Sequence, residues 1–235
     1  MMLAGTLCCT NAQAQSEDWG VWTTVSVEKK LTKKWSVNAE GEYRTRDGVS
    51  ATERWSGAIS TDYKLFKWLK ADIGYTYIHS RQASETTKKG NIIPGHWLPR
   101  HRFNASLTGS VEWNRFKFSL RERWQYTYRP QQFVEKYDKD NGQRKDDELV
   151  KGKAEHMVRS RIQVEYDIAK CDFTPYVSCE LYHNSYGIDK TRWTAGTEYK
   201  INKKNSVEAY YRYQDKADDD ESNGHVIGIG YKFKF

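Results

Sequence analysis

His183 and Ser185 are the residues of this chain whose types and spacing could support nucleophilic catalysis. An imidazole two positions from a serine can accept the hydroxyl proton, and the activated oxygen can then attack an ester. Such a pair needs a third residue to orient the imidazole. On the following segment, the Thr197 side chain is expected to face the same way as His183, but it has no carboxylate. The Glu198 side chain has a carboxylate but is expected to face the opposite way. We therefore predict no catalytic residues.

Acidic loops and two histidines are the candidate metal ligands. Residues 138–142 begin like a calcium loop, but a glycine falls where a further ligand should lie, so the spacing does not fit. Residues 218–221 predict a solvated acidic loop that could bind a cation only weakly. His96 and His101 have no further ligands at metal spacing. The chain also has no Gly-rich phosphate loop, and we expect neither a metal nor a cofactor.

Many of the other ionisable residues lie in segments where polar and apolar residues alternate. They occupy the polar positions, so they share one face of each segment, and acidic and basic residues are mixed on that face. If this face lines an enclosed interior, the structural interpretation is a network of ion pairs and hydrogen bonds, since a buried charge needs close partners. The functional interpretation is a narrow pore whose arginine surplus favours anions. The residues are Glu40, Glu42, Arg44, Arg54, Asp62, Arg102, Arg121, Arg123, Arg159, Arg161, Glu165, Glu180, Arg192, Glu198 and Arg212.

The alternation itself predicts β-strands. In residues 35–46, Trp35, Val37 and Ala39 alternate with Ser36, Asn38 and Glu40, so one face is apolar and the other polar. Similar alternation recurs along the chain and is typical of a transmembrane β-barrel, in which apolar side chains face lipid and polar side chains line the interior.

The last strand carries a further indication of this class. Tyr231, Phe233 and Phe235 alternate with lysines and end on an aromatic carboxylate. We predict that this strand interacts with the barrel-assembly machinery.

Long and short connections alternate between the segments. Long loops near residues 47, 82, 129, 184 and 215 predict an extracellular end, and short turns near residues 30, 66, 113, 170 and 203 predict a periplasmic end. Residues 18–28 make an eleventh alternating segment, although single-chain bacterial barrels usually have even strand numbers. Either that segment does not span or two strands have been merged. The predicted fold is therefore all-β, an antiparallel up-and-down transmembrane barrel of about ten to twelve strands.

Composition agrees with this class. The chain is 37% hydrophobic and 29% charged, has a mean hydropathy of −0.90, and contains no apolar run near the roughly 20 residues that a spanning helix needs. Aromatic residues make up 14%, which disfavours disorder. The net charge of +7 is spread over many strands rather than gathered in one run, so we expect no nucleic-acid partner.

The amino terminus resembles the end of an export signal. An apolar patch leads to a small-x-small site after Ala14, so we predict a residual signal peptide over residues 1–14 and one barrel domain over residues 15–235. Cys171 and Cys179 are eight positions apart, about 26 Å along a strand, so no disulfide between them is expected.

Several fragments together resemble the DUF2490 family of outer-membrane β-barrel proteins. The resemblance covers most of the chain after Trp19 and implies a fold and a location, but no accepted activity. It is carried by Lys34, Trp35, Ser36 and Val37 leading to Glu42, Tyr43 and Arg44; by Arg121 with Arg123 and Arg159 with Arg161; by Pro175, Tyr176, Val177 and Glu180; and by Arg192, Ala195 and Gly196.

We therefore expect a monomeric protein of the bacterial outer membrane, acting as a narrow channel or as a structural surface protein. Its expected partners are membrane lipid, the assembly machinery and small anions or solutes. One alternative is an outer-membrane lipid acyl hydrolase that uses His183 and Ser185. The other is a periplasmic carrier of lipophilic ligands, a soluble barrel with the apolar face inward.

Overall fold

The computed structural model describes residues 18–184, 187–215 and 224–235, and its regular structure is entirely β. The described part of the chain has no helix of the length and apolarity needed to cross a bilayer. The strands are β1 Asp18–Lys30, β2 Trp35–Arg46, β3 Ala51–Lys64, β4 Leu69–Gln82, β5 Glu85–Thr86, β6 Asn91–Ile93, β7 His96–Trp113, β8 Phe116–Arg129, β9 Gln132–Asp138, β10 Arg144–Val150, β11 Lys153–Tyr166, β12 Phe173–Asn184, β13 Gly187–Lys200, β14 Asn205–Gln214 and β15 Gly224–Lys234.

Eleven of these strands close into a barrel in the order β1-β15-β14-β13-β12-β11-β8-β7-β4-β3-β2. Neighbouring strands are antiparallel except at the closing seam, where β1 and β15 run parallel from the Asp18–Gly224 pair to the Glu28–Lys234 pair. The barrel prediction is confirmed, and residues 18–28 do span. The uniformly antiparallel arrangement is corrected at this seam, because an odd number of up-and-down strands brings the first and last together in the same direction.

The two faces of the wall follow the predicted parity. Trp35, Ile73 and Phe118 lie on the outer surface, where 46%, 60% and 41% of each residue is exposed. Arg123 and Arg161 lie on the inner parity and line the interior. An apolar outer surface is what a wall in contact with acyl chains requires. A lipophilic-ligand carrier would need the reverse arrangement, so that alternative is wrong.

The five connections at one barrel end are all short, as predicted, whereas those at the opposite end differ in length. The connections that follow β4, β8 and β14 are long, but only four residues separate β2 from β3 and two separate β12 from β13, so the predicted long loops near residues 47 and 184 are wrong. Tight turns link β1 to β2, β3 to β4, β7 to β8, β11 to β12, and β13 to β14. In the last of these, the Asn202 side chain accepts hydrogen bonds from the backbone N–H groups of Lys204 and Asn205 at 2.8 and 2.9 Å. We call this the turn end and the opposite one the loop end.

Two loops at the loop end join into a second sheet. Its order is β10-β9-β6-β5, so the connection between β4 and β7 pairs with the one between β8 and β11. The sequence predicts both segments to be loops, because strands such as β10 are charged on both faces and show no alternation. Ion pairs hold β9 to β10, including Lys136 with Glu148 at 2.9 Å and Lys145 with Asp138 at 2.6 Å.

Aromatic rings collect at both barrel ends, and at the loop end histidines are interleaved with them on the outer surface. His79 lies 5.1 Å from Trp55 and His156 lies 4.9 Å from Tyr126, measured between ring centroids. Such rings are suited to a membrane interface, because they combine an apolar body with a polar edge.

Glu122 is an outward-facing carboxylate at the middle of β8. It lies opposite Leu107 and Ser160 in unbroken register, and the Ser160 hydroxyl donates a hydrogen bond to it at 2.7 Å. The register has no bulge here, so Glu122 interrupts the apolar outer face in the middle of the strand. A neighbouring hydroxyl is the polar partner that the structure provides.

The predicted signal peptide, residues 1–14, lies outside the described residues. Cys171 lies exposed in the turn between β11 and β12, and Cys179 lies half-buried on the outer parity of β12; both thiols are free.

Candidate functional site

The barrel interior is polar and contains two adjoining cavities. The turn-side cavity has a volume of about 770 Å³ and reaches Lys67 and Trp68 at the turn end. The inner cavity has a volume of about 560 Å³ and extends from Lys232 and Lys234 near the turn end to Lys190 and Arg192 nearer the loop end. Every member of the predicted charged network lines at least one of them, and Arg161 is among those that line both.

One group of the network centres on Glu42. Its carboxylate accepts from Arg44 Nη2 at 2.9 Å and from Arg54 Nη2 at 3.2 Å, and all three side chains are largely buried. The guanidinium carbon of Arg44 also lies 3.3 Å from the ring centroid of Trp22. The ion pairs and the aromatic face together compensate for taking these charges out of water.

A second group centres on Glu180. Arg121 Nη2 lies 2.6 Å from one carboxylate oxygen, and Arg159 Nη2 lies 2.9 Å from the other. Arg192 Nη1 is 3.9 Å away, and the Tyr182 hydroxyl donates to the same carboxylate at 3.0 Å. One acidic residue therefore serves three arginines.

Smaller groups line the turn side. Asp62 accepts from Asn38 at 2.7 Å, and Asp72 accepts from the Ser106 hydroxyl at 2.8 Å. Lys117 donates to Glu165 at 2.9 Å. These contacts fix the walls of the turn-side cavity without filling it.

The loop side of the interior is packed instead. Trp22, Tyr182 and Lys190 are 2%, 3% and 1% exposed, and apolar side chains from other strands are buried around the same end. Arg192 Cζ lies 5.2 Å from the Trp22 ring centroid and 4.8 Å from that of Tyr182. We call this cluster the loop-side layer; its further buried members are Ile78, Leu98, Met157 and Val226.

Several lining residues are absent from the network that the sequence predicts. Asp72, Tyr182 and Glu208 have the inward parity of their strands, so the signal was present. Trp22 was missed because aromatic residues were interpreted as lipid-facing, whereas this ring points inward and carries arginines on its face.

Three members of the predicted network have no direct partner. Arg161, Glu40 and Glu198 form neither a hydrogen bond nor an ion pair with any residue that the structure describes. The others are tied into contacts, for example Arg102 to Thr127 at 3.2 Å.

The candidate catalytic pair lies elsewhere. His183 is on the outer parity of β12, opposite Val158 and Ile188, and no described residue hydrogen-bonds its imidazole. Ser185 lies outside the described residues, and Glu198 lines the inner cavity instead of approaching His183.

The candidate metal ligands are also dispersed. Within the described ranges, no three His, Cys, Asp or Glu side chains are grouped to hold a metal ion. Asp138 is already engaged, because it accepts from the Asp140 backbone N–H at 2.9 Å and pairs with Lys145 at 2.6 Å. Residues 218–221 lie outside the described part of the chain.

The carboxyl-terminal strand ends at the turn end. The rings of Phe233 and Phe235 lie 4.7 Å apart, and Tyr231 donates to Asn205 Oδ1 at 2.5 Å. The Phe235 backbone N–H donates to the carbonyl of Glu28 at 2.9 Å, which fastens the chain end across the parallel seam.

The closed wall, apolar outside and charged within, defines the protein as a β-barrel of the outer-membrane type. Residues 19–225 match the family described as protein of unknown function, DUF2490, and the chain belongs to this family. No curated protein sequence matches the chain.

Two solved structures are similar to this chain. The β-domain of the Bordetella autotransporter BrkA is 14% identical, with 86% of this chain and 82% of that chain covered and a TM-score of 0.55. The CymD monoaromatic hydrocarbon channel is 11% identical, with 79% of this chain and 65% of that chain covered and a TM-score of 0.42. The first comparison shows a shared barrel fold, which does not depend on the second.

Proposed function

We propose that the protein is a narrow outer-membrane channel that selects small anions and is closed by the loop-side layer in the conformation described. The observation that carries this proposal is the charge of the lumen. Eight basic side chains and four acidic ones line the turn-side cavity, and twelve basic and five acidic ones line the inner cavity. Fixed positive charge in a narrow passage concentrates anions and excludes cations.

The cavity geometry supports entry from the turn end. The turn-side cavity extends to Lys67 in the turn between β3 and β4, and it shares Arg121 and Arg123 with the inner cavity. An anion entering there would meet basic side chains along the whole path to the loop-side layer. Passage beyond that layer requires Trp22 or its neighbours to move.

Conductance in planar bilayers tests the channel. In a KCl gradient, the reversal potential should lie on the anion-selective side, and conductance events should be small. A cation-selective reversal potential would contradict the proposal. Folded protein that inserts without conducting would favour the second candidate, a structural surface barrel. The packing of Trp22 and Tyr182 is the observation that favours this candidate.

We place the protein in the bacterial outer membrane as a monomer, assembled through its last strand. Membrane fractionation should find it in the outer-membrane fraction, and an unheated sample should migrate differently in gel electrophoresis from a boiled one. Replacing Phe235 with Ala should lower the amount of folded barrel if the assembly machinery recognises this end. The Phe66→Ala variant is a matched control, because Phe66 is also an exposed aromatic residue at the turn end.

The barrel carries out no catalytic step in this function. His183 has no hydrogen-bonded carboxylate among the described residues, so nothing there orients its imidazole. If the protein deacylates phospholipid or lipopolysaccharide, and Ser185→Ala loses this activity, the protein is a hydrolase and the channel proposal is wrong.

A further inference from the structure

Four arginines face one another across two neighbouring strands of the lumen wall. Arg121 on β8 lies directly opposite Arg161 on β11, and Arg123 lies directly opposite Arg159. All four have the inward parity, so they occupy two consecutive rows of the interior. Like charges placed directly across a strand pair are destabilising. We call these four residues the arginine quartet.

The acidic residues near the quartet do not balance it. Glu180 lies directly opposite Arg161, but its two carboxylate oxygens bind Arg121 and Arg159 at 2.6 and 2.9 Å. Asp72 approaches Arg123 only to 3.7 Å. Arg161 forms no hydrogen bond or ion pair with any described residue. Two carboxylates therefore lie within ion-pair distance of the four guanidinium groups. Glu40 lines both cavities as well and attracts Arg123 electrostatically, but it forms no direct contact with the quartet.

The quartet also has unused donors. The Nε groups of Arg121 and Arg159 are buried and have no hydrogen-bond partner among the described residues. Arg161 is half-buried, and its guanidinium forms no hydrogen bond or ion pair with a described residue. Burying donors of this kind is costly unless a partner arrives. A guanidinium offers N–H groups in a planar fork that matches the oxygens of phosphate and carboxylate groups.

We propose that the arginine quartet is a binding site for a small oxyanion, namely the phosphate, sulfate or carboxylate group of a small molecule. The inference builds on the proposed anion-selective lumen, and it names the site and the ligand chemistry. The ligand supplies the negative charge that Glu180 and Asp72 leave uncompensated. The anion should interact most strongly with Arg161, because this arginine has no other direct partner among the described residues.

The position of the quartet determines the route of the ligand. Arg121, Arg123 and Arg161 line both cavities, whereas Arg159 lines only the inner one. A ligand entering at the turn end would cross the turn-side cavity before it reaches the quartet. The volume of about 770 Å³ is within the range of pockets that hold small molecules.

Calorimetric titration of the detergent-purified full chain tests the site. Inorganic phosphate, sulfate and succinate would each be added at constant ionic strength, so that general screening does not change. At least one should bind saturably with one site per barrel, and their ranking distinguishes a tetrahedral oxyanion from a carboxylate. Absence of saturable binding for all three would overturn the proposal.

Arg161→Gln is the decisive variant. Losing charge-assisted hydrogen bonds should weaken binding by about tenfold or more. Arg161→Lys keeps the positive charge but loses the planar fork of N–H groups, so its affinity should lie between those of the parent protein and Arg161→Gln. Arg115→Gln removes the same charge from an exposed turn and should bind like the parent protein. Equal affinity of Arg161→Gln and the parent would refute the site, provided that heat-modifiable mobility shows a folded barrel. If Arg161→Gln does not fold, Arg123→Gln provides the same comparison.

The binding site and the channel can be refuted independently of each other. Saturable binding that depends on Arg161, in a barrel that does not conduct, would retain the site and refute the channel. Anion-selective conductance without saturable binding would retain the channel and refute the site.

Discussion

The phenol ring of Tyr210 lies against the backbone of Gly228 on the neighbouring strand. Its ring atoms occupy the space in which a β-carbon at position 228 would stand. Gly196 makes similar room, since a β-carbon there would meet Tyr176 and Tyr210. Rings of this kind cover the backbone of a glycine and help to fix the register of a strand pair.

Gly228→Ala should destabilise the barrel by about 1–3 kcal/mol, because the ring of Tyr210 must leave a filled position. The measurement is the urea midpoint of unfolding, followed by loss of heat-modifiable mobility. Gly57→Ala is the matched control, since no atom lies within 4 Å of a β-carbon there. An unchanged midpoint for Gly228→Ala would show that the ring moves without cost.

Trp22→Ala should increase single-channel conductance. The indole is a member of the loop-side layer, with Arg44 on its face, so its removal takes away a large, fully buried ring from this layer. Trp19→Ala on the same strand removes an outward ring that is 47% exposed, and should leave conductance unchanged. If both variants conduct equally, Trp22 does not limit passage.

The two residues of the Arg161–Glu180 cross-strand pair should respond oppositely to loss of charge. Glu180→Gln leaves Arg121 and Arg159 without their counter-charge and should cost about 3–5 kcal/mol. Arg161→Gln removes a cation that has no ion pair and faces Arg121, so stability should be retained or rise slightly. Chemical denaturation of the two variants in the same detergent measures both effects. Destabilisation by Arg161→Gln as large as that by Glu180→Gln would contradict the described charge distribution.

Cys171 provides a natural test of orientation. It lies exposed in a turn, which we place in the periplasm. A membrane-impermeant maleimide should label it only after the outer membrane is permeabilised, with the modified peptide identified by mass spectrometry. Asn141→Cys in a Cys171→Ser background places the thiol between β9 and β10 and should be labelled in intact cells. The reverse labelling pattern would show that the turn end faces the outside of the cell and the loop end the periplasm.

Acid should loosen the loop-end sheet before the barrel. The pKa of Asp138 lies below its usual value because of its hydrogen bond to Lys145 and those from backbone N–H groups, and the hydrogen bond from Lys136 lowers the pKa of Glu148. A carboxyl with a lowered folded-state pKa stabilises the folded form above its ordinary pKa, and this contribution is lost as the pH falls through the lowered value.

Hydrogen exchange over residues 132–150 measures this effect. On acidification below about pH 4, protection should fall there more than in β7 or β8, after correction for the intrinsic rate. Asp138→Asn should show reduced protection already at neutral pH and a smaller change with acid. Equal loss of protection in the sheet and the barrel would argue against a local effect.

Parity in the sequence predicted which side chains face inward, and little else about the site. Alternation places Arg121, Arg161 and Glu180 on one face, because successive side chains of a strand point to opposite sides. It gives no height along the barrel axis, so it could not show that Glu180 binds Arg121 and leaves Arg161 alone.

The remaining misses have physical causes of two kinds. Closure by a parallel seam depends on strand number and on contact between the two ends of the chain, which local periodicity does not contain. The strands of the loop-end sheet pair two distant loops through backbone hydrogen bonds and exposed ion pairs, so β10 shows no apolar face for a pattern to detect.

Because β1 and β15 are parallel, β1 starts at the loop end of the barrel and β15 finishes at the turn end. A reporter fused directly ahead of Asp18 would be displayed beside the long connections, whereas one fused after Phe235 would be displayed beside the tight turns. A barrel with an even strand number would carry both reporters on one side. This wall would keep them apart by the thickness of the bilayer.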